Sequence, residues 1–382
     1  MAELEVVPVE TAARRKQFTQ FAWDLYREDP HWIPPLRHNQ EELLGFRPHP
    51  FYEYAEIQTF LALRDGAPCG RIAAIVNPRH NERHKEKRGF FGFFECREDP
   101  EAAAALFEAA HTWLAEKGMT HCRGPANPSL NYECGLLVEG FHEPPTFMMT
   151  YNPPYYEELI TACGYEKTQD LYAFFGEVKM LESIDRERLQ FIRGEAIRRL
   201  NVTLRPLDRR RFLDDVRTFL DIYNQSLVGT WGFVPLSEAE AEQMAHGLQY
   251  LIVPEMTMIA EIEGKAVGAV FGLLDFNPRI KQLDGRLYPF GFLHLLWGRR
   301  KLPRCHMLST NVLPVYQAWG LGLVLLAEMF PVGMSFGSLK EVEFSWVLES
   351  NHLSRASLER GGARRSKTYR MYDRALESPA SP

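Results

Sequence analysis

Short apolar runs punctuated by turn residues recur along the chain in an order that repeats. Ile57–Leu63 and Cys69–Val76 are rich in apolar residues and flank Arg64-Asp65-Gly66-Ala67-Pro68, which predicts a β-hairpin. Gly89–Glu95, reading GFFGFFE, predicts a third strand. Asp99 is placed to cap a helix, Pro100 suits its first position and Gly118 its stop. Leu106, Ala109, Ala110, Trp113 and Leu114 are assigned to the apolar face of that helix. A strand over His121–Arg123, a helix from Tyr155 to Gly164 and a strand over Leu171–Phe175 follow.

The second half keeps the same order. Helical patterns cover Arg211–Tyr223 and Glu238–Leu248, and Thr257–Glu261 with Ala266–Leu274 predicts a hairpin. His306–Val312 is the next strand, a helix follows Gly322, and Glu341–Leu348 is another strand. Asn351–Arg360 then reads as a helix and Ser366–Tyr372 as the last strand. Each half therefore runs two helices, hairpin, strand–helix, strand–helix, strand, an α/β class with a mixed (α+β) sheet. The expected division is residues 1–178, a linking helix over 179–201, a second domain over 202–374 and a disordered tail over 375–382.

Composition narrows the function classes. The chain has 382 residues, enough for two ordinary domains, and a net charge of −6, which weighs against a nucleic acid as the main partner. The cysteines at 69, 96, 122, 134, 163 and 305 form no C-x-x-C pair, so neither a zinc site nor a disulfide framework is expected, and no metal. No signal-like N-terminus and no apolar run long enough to span a bilayer occur, which predicts a cytoplasmic protein. Leu287–Trp297, reading LYPFGFLHLLW before Gly298-Arg299-Arg300-Lys301, is richer in large apolar residues than a surface loop. Two readings stay open: a buried strand or helix edge, or a lipid-facing or acyl-chain-facing element with a basic collar at Leu287–Lys301, touching the inner membrane face peripherally.

The candidate chemistry lies at Asn311–Glu328. Binding a diphosphate needs backbone N–H groups that converge on it, and a Gly-rich turn entering a helix N-terminus supplies them. Gln317-Ala318-Trp319-Gly320-Leu321-Gly322 has that form after the strand end Val312-Leu313-Pro314. The first half has no such loop: Cys96-Arg97-Glu98-Asp99-Pro100 leads straight into a helix, and its acids would repel a diphosphate. That half is expected to shape an acceptor cleft, with Arg123, Asn127, Tyr151, Tyr155 and Tyr156 at loop ends. In the second half Asn224, Trp231 and Phe233 fall between the early helices, and Glu349 and His306 are candidates for handling protons.

The Q-x-x-G-x-G run between strand and helix resembles the signature of the GNAT acyltransferases, and the two halves resemble tandem GNAT domains. That resemblance implies acyl-coenzyme A as co-substrate, held at Val312, Leu313 and Gln317 to Gly322, with Asn351 opening a helix beside the thiol. Where many members carry a proton-donating Tyr seven residues later, this chain has Leu358. Over Phe60–Ala74, Gly89–Glu95, Gly124–Pro145, Tyr151–Leu171 and Trp231–Pro235 the chain is similar to the bacterial ceramide-synthase-like group. This implies transfer of a fatty acyl group to a sphingoid base or other lipid amine. Rival expectations are an acyl carrier protein or an aminoacyl-tRNA as donor, or a degenerate non-catalytic acyl-coenzyme A-binding module.

Overall fold

The structure, a computed structural model, describes residues 3–179, 186–335 and 338–377. The chain forms two compact units, each assembled from separated stretches. The first takes Met1–Leu171, Ile280–Leu287 and Lys367–Pro382; the second takes Tyr172–Arg279 and Tyr288–Ser366. Residues 378–382, within the expected tail, and 180–185, within the expected linker, lie outside the described residues.

The elements of the first half are β1 (Leu4–Pro8), α1 (Ala12–Leu25), α2 (Arg37–Leu43), β2 (Glu56–Arg64), β3 (Ala67–Val76), α3 (Pro78–His84) and β4 (Arg88–Cys96). They continue with α4 (Pro100–Glu116), β5 (His121–Gly124), β6 (Ala126–Asn127), β7 (Glu133–Cys134), β8 (Leu136–Glu139), α5 (Tyr156–Ala162) and β9 (Glu166–Glu177). In the first unit β1, β2, β3 and β4 pair antiparallel in that order, β5 joins parallel to β4, and the chain's last strand lies antiparallel to β5. Asp99 caps α4 by accepting from the Ala102 N–H at 3.1 Å, and Pro100 opens the helix, as the pattern predicts. The buried face of α4 is Ala103, Leu106, Phe107, Ala110 and Leu114, whereas Ala109 and Trp113 are only half-buried. The true stripe is the one that turns Phe107 onto Phe91 of β4, with ring centroids 5.1 Å apart. In helix α1, Phe18, Phe21 and Ala22 share a face and are all buried.

The second half holds α6 (Arg186–Leu200), β10 (Val202–Pro206), α7 (Phe212–Ser226), α8 (Glu238–Leu248), β11 (Thr257–Ile262), β12 (Lys265–Leu274), α9 (Asn277–Leu283) and α10 (Gly291–Leu296). It ends with β13 (Arg304–Val312), α11 (Pro314–Gln317), α12 (Leu321–Met334), β14 (Glu341–Leu348), α13 (His352–Arg360) and β15 (Arg364–Ala375). In the second unit β10, β11, β12 and β13 are antiparallel neighbours, β14 is parallel to β13, and β9 lies beside β14. The segment Leu287–Trp297 is not a buried strand or helix edge: α10 leaves Tyr288, Phe290, Leu293 and Trp297 exposed and buries Leu295.

Charge fixes β15 in the first unit. Arg370 donates to Asp170 at 2.7 Å and to Glu157 at 2.8 Å, and the Tyr372 hydroxyl donates to Glu157 at 2.7 Å. Burial works against the Asp170 charge, but Arg370 and Lys167 outweigh it and hold the carboxyl below its usual range. Arg370→Ala takes one of its charged partners from this buried carboxylate, leaving Lys167 at 2.8 Å, and is expected to lower stability by about 2 kcal/mol in urea titrations. The depressed folded-state pKa sets the sign of the pH effect. The Asp170 contribution is fully present at neutral pH and falls away below about pH 4, and Asp170→Asn removes that acid dependence.

Candidate active site

The site grows from one pair of parallel strands in the second unit. Parallel pairing of β13 with β14 runs from Arg304↔Glu341 to Met307↔Phe344 and stops, although β13 continues to Val312 and β14 to Leu348. Beyond Met307 the two strands leave a wedge between their facing edges. On its other side β13 stays paired with β12 as far as Gly268↔Val312. The Leu313 N–H continues that ladder by donating to the Val267 carbonyl at 2.9 Å. In an antiparallel ladder successive N–H groups point to opposite sides, so the Val312 N–H faces the wedge and the Leu313 N–H does not.

His306 marks the apex. Its side chain is fully buried, with Nε2 3.0 Å from the Ser345 carbonyl and 2.8 Å from the Ser345 hydroxyl. A carbonyl can only accept, so Nε2 carries the proton. The Ser345 hydroxyl in turn donates to buried Glu343 at 2.7 Å. His306 thus ties β13 to β14 through a nitrogen that is a donor. Ser345 and Glu343 were not among the candidates; their signal is the alternation of polar Glu341, Glu343 and Ser345 with apolar neighbours on a central strand.

The loop after β13 is compact. The Gln317 side-chain amide donates to the Val312 carbonyl at 3.0 Å, and the Trp319 and Gly320 N–H groups turn back onto Tyr316 and Gln317. Gly320 adopts φ +72°, the left-handed region that a residue with a Cβ rarely enters, and its carbonyl accepts from Leu323 and Val324. Leu321 and Gly322 then form the first turn of α12, where N–H groups have no acceptor within the helix and the helix dipole favours an anion. A Cβ on Gly322 would sit 3.4 Å from Thr310 Cγ2 of β13, so the helix start lies close over the strand end. Ala318 and Trp319 are exposed.

Other candidates have structural partners. Asn351 caps α13 by accepting from the Ser354 N–H at 3.1 Å, and the Glu349 carbonyl accepts from Arg355 at 2.8 Å. Leu358 is half-buried within α13. The Asn224 side chain both accepts from and donates to the Leu236 backbone at 3.0 Å, closing the loop that holds half-buried Trp231 and buried Phe233. Phe233 packs edge-on against Tyr223. Ser226, at the end of α7, donates to Asn311 of β13 at 3.1 Å, tying that helix to the wedge strand.

The remaining candidates belong to the first unit. Buried Arg123 pairs with Asp373 at 3.0 Å; the Tyr151 hydroxyl donates to Asp29 at 2.9 Å. Tyr155 donates to the Cys96 carbonyl at 2.8 Å and Tyr156 to Glu95 at 2.7 Å. Here too parallel strands part early: β4 pairs with β5 only from Arg88↔His121 to Phe90↔Arg123. The space beyond is filled by the chain itself. Asn127 accepts from the Phe93 N–H at 2.6 Å, and a Cβ on Gly92 would collide with the Ala126 carbonyl at 1.9 Å. Among the described residues no cluster of three or more His, Cys, Asp or Glu could hold a metal ion.

Comparison with known proteins gives the family and the fold. The chain is 36% identical over 386 residues to the bacterial ceramide synthase of Caulobacter vibrioides, covering 98% of each chain. The chain belongs to the bacterial ceramide synthase family. It is also 35% identical over 373 residues to protein YghO of Escherichia coli, with 94% of this chain and 93% of that one covered. No protein-family model matches. Among solved structures, a tandem GNAT protein from the clavulanic acid biosynthesis pathway aligns over 99% of this chain and 100% of its own, with TM-score 0.57 and 12% identity. A GCN5-related N-acetyltransferase from Sphaerobacter thermophilus aligns over 98% and 96% with TM-score 0.52 and 13% identity. These likenesses establish the tandem GNAT fold of this family member.

Asn127→Ala leaves the Phe93 N–H without its acceptor and is expected to cost roughly 2 kcal/mol, read as a lower melting temperature.

Proposed function

We propose that this protein is an N-acyltransferase that takes its acyl group from acyl-coenzyme A in the second unit and delivers it to a lipid amine. The observation that carries this reading is the wedge beyond Met307 and Phe344, followed directly by a glycine turn and the N-terminus of α12. The diphosphate would meet the first-turn N–H groups of Leu321 and Gly322. The thioester would lie between the parted strands, where the Val312 N–H faces the space its carbonyl oxygen would occupy. The acceptor amine, as its neutral form, attacks the carbonyl carbon; the nitrogen gives up its extra proton to solvent, the C–S bond breaks and the thiolate leaves toward the Asn351 end of β14. A thiol with an ordinary pKa of about 8.5 departs with little protonic help, which fits Leu358 in place of a tyrosine.

The relative named for ceramide synthesis supports a sphingoid base as acceptor and a fatty acyl chain as the transferred group. The filled gap in the first unit supports a single donor site for the whole chain.

Gly322→Leu is the direct test. The added side chain would grow toward Thr310 and Val312 at the strand end, so coenzyme A affinity in calorimetry should drop at least about tenfold, or 1.4 kcal/mol. The circular dichroism spectrum should be unchanged, and an unaltered Kd would refute the assignment of the donor site. For the acceptor, the purified protein is given palmitoyl-coenzyme A with either a sphingoid base or a short alkylamine. Release of free thiol with the sphingoid base is expected; release with the alkylamine alone would redirect the reading to small amines.

A further inference from the structure

Five aromatic or large apolar side chains stand out into solvent around α10. Relative exposure is 74% for Tyr288, 73% for Phe290, 53% for Leu293 and 85% for Trp297, with Tyr250 at 62%. Single exposed hydrophobic residues are ordinary, but four of these within Tyr288–Trp297 are not. The segment is also held in place. Arg279 donates through Nη1 to the carbonyls of Leu295 at 2.8 Å and Trp297 at 2.6 Å, and through Nη2 to that of Gly298 at 2.8 Å. One guanidinium therefore satisfies the carbonyls at the C-terminal end of α10 that a helix leaves without partners, while Leu295 anchors the helix underneath. The exposed rings are presented by a braced element.

Basic side chains follow at once. Gly298, at φ 60°, turns the chain into Arg299, Arg300 and Lys301. Arg299 donates to the Tyr250 carbonyl, and Arg209 donates to the neighbouring Ile252 carbonyl at 3.0 Å. Arg300 pairs with Glu255 at 2.6 Å, and Lys301 is exposed. Burial, together with the charges of Arg209 and Arg300, opposes the positive charge on Arg299, and an anion arriving there would relieve that repulsion. Rings that sit at headgroup depth beside cations that meet phosphate form the chemistry of an interfacial membrane contact. Among the described residues no helix is long and apolar enough to cross a membrane, so the contact would be with one leaflet.

We propose that Tyr288, Phe290, Leu293 and Trp297, braced by Arg279 and flanked by Arg299 and Lys301, seat the protein on the surface of an anionic lipid bilayer. The docking does not depend on the acyl-transfer reading, so it is tested without acyl donor or amine acceptor. The full chain is sedimented with vesicles of phosphatidylethanolamine and phosphatidylglycerol, and separately with vesicles of phosphatidylcholine alone. Binding to the anionic vesicles is expected. Phe290→Ser with Trp297→Ser should lower that partitioning at least about tenfold. Arg299→Gln with Lys301→Gln should lower it roughly fivefold per charge removed, on anionic vesicles only. Phe290, Trp297 and Lys301 are exposed and Arg299 is half-buried, and unchanged melting temperatures will confirm folded variants. Equal partitioning of parent and aromatic variant would overturn the proposal. So would size-exclusion chromatography showing a parent dimer that the aromatic variant converts to monomer, because a second copy of the chain would then be the occupant.

Discussion

The parting of β13 from β14 is the constraint on which the rest of the site depends. Parallel strands satisfy each other's backbone groups only while they stay about 4.8 Å apart, so every second residue past the last pair turns its N–H and C=O groups toward the gap. The pairing is held as far as Met307 and Phe344 by a buried chain of polar groups, His306 to Ser345 to Glu343. That chain is costly to bury and stable only because each member has a partner. Where it ends, β13 keeps β12 on one flank and has the wedge on the other. The loop held by Gln317 and the left-handed Gly320 then directs the start of α12 over the same strand end.

The first unit shows what happens to the same arrangement without that opening. Its parallel pair also separates after three residue pairs, yet Asn127 and the Ala126 carbonyl fill the space beyond. A side-chain amide takes the place a ligand would need, and Gly92 is required because a Cβ there would overlap the chain that fills the gap. Two halves with one element order therefore differ in whether a short piece of backbone lies inside the wedge.

The order of elements was legible because hairpins, helix caps and glycine stops are local signals. The Asp99 cap and the boundaries of α8 and β14 are as the pattern predicts. Misreadings came from packing that a one-dimensional pattern does not carry. The face of α4 is decided by Phe107 meeting Phe91, and the hold on α10 comes from Arg279, which precedes the aromatic run and donates to carbonyls at its far end. In the site, the glycine turn was readable from residue types. The direction of the Val312 and Leu313 N–H groups was not, because it depends on register with β12. The roles of Tyr155, Tyr156 and Arg123 as partners of Cys96, Glu95 and Asp373 likewise need the third dimension.

The place of β15 has a consequence for how the protein is made. Its residues from Lys367 onward are part of the first unit, with Asp373 pairing with Arg123 and Arg370 with Asp170. Translation delivers the N-terminal stretches first, and a domain ordinarily folds as it emerges. Here the first unit lacks the strand antiparallel to β5 until the residues of the second unit have been made. Completion of the earliest-made part of the protein is therefore deferred until the second unit has been made, and a chain cut short before β15 harms the beginning of the protein.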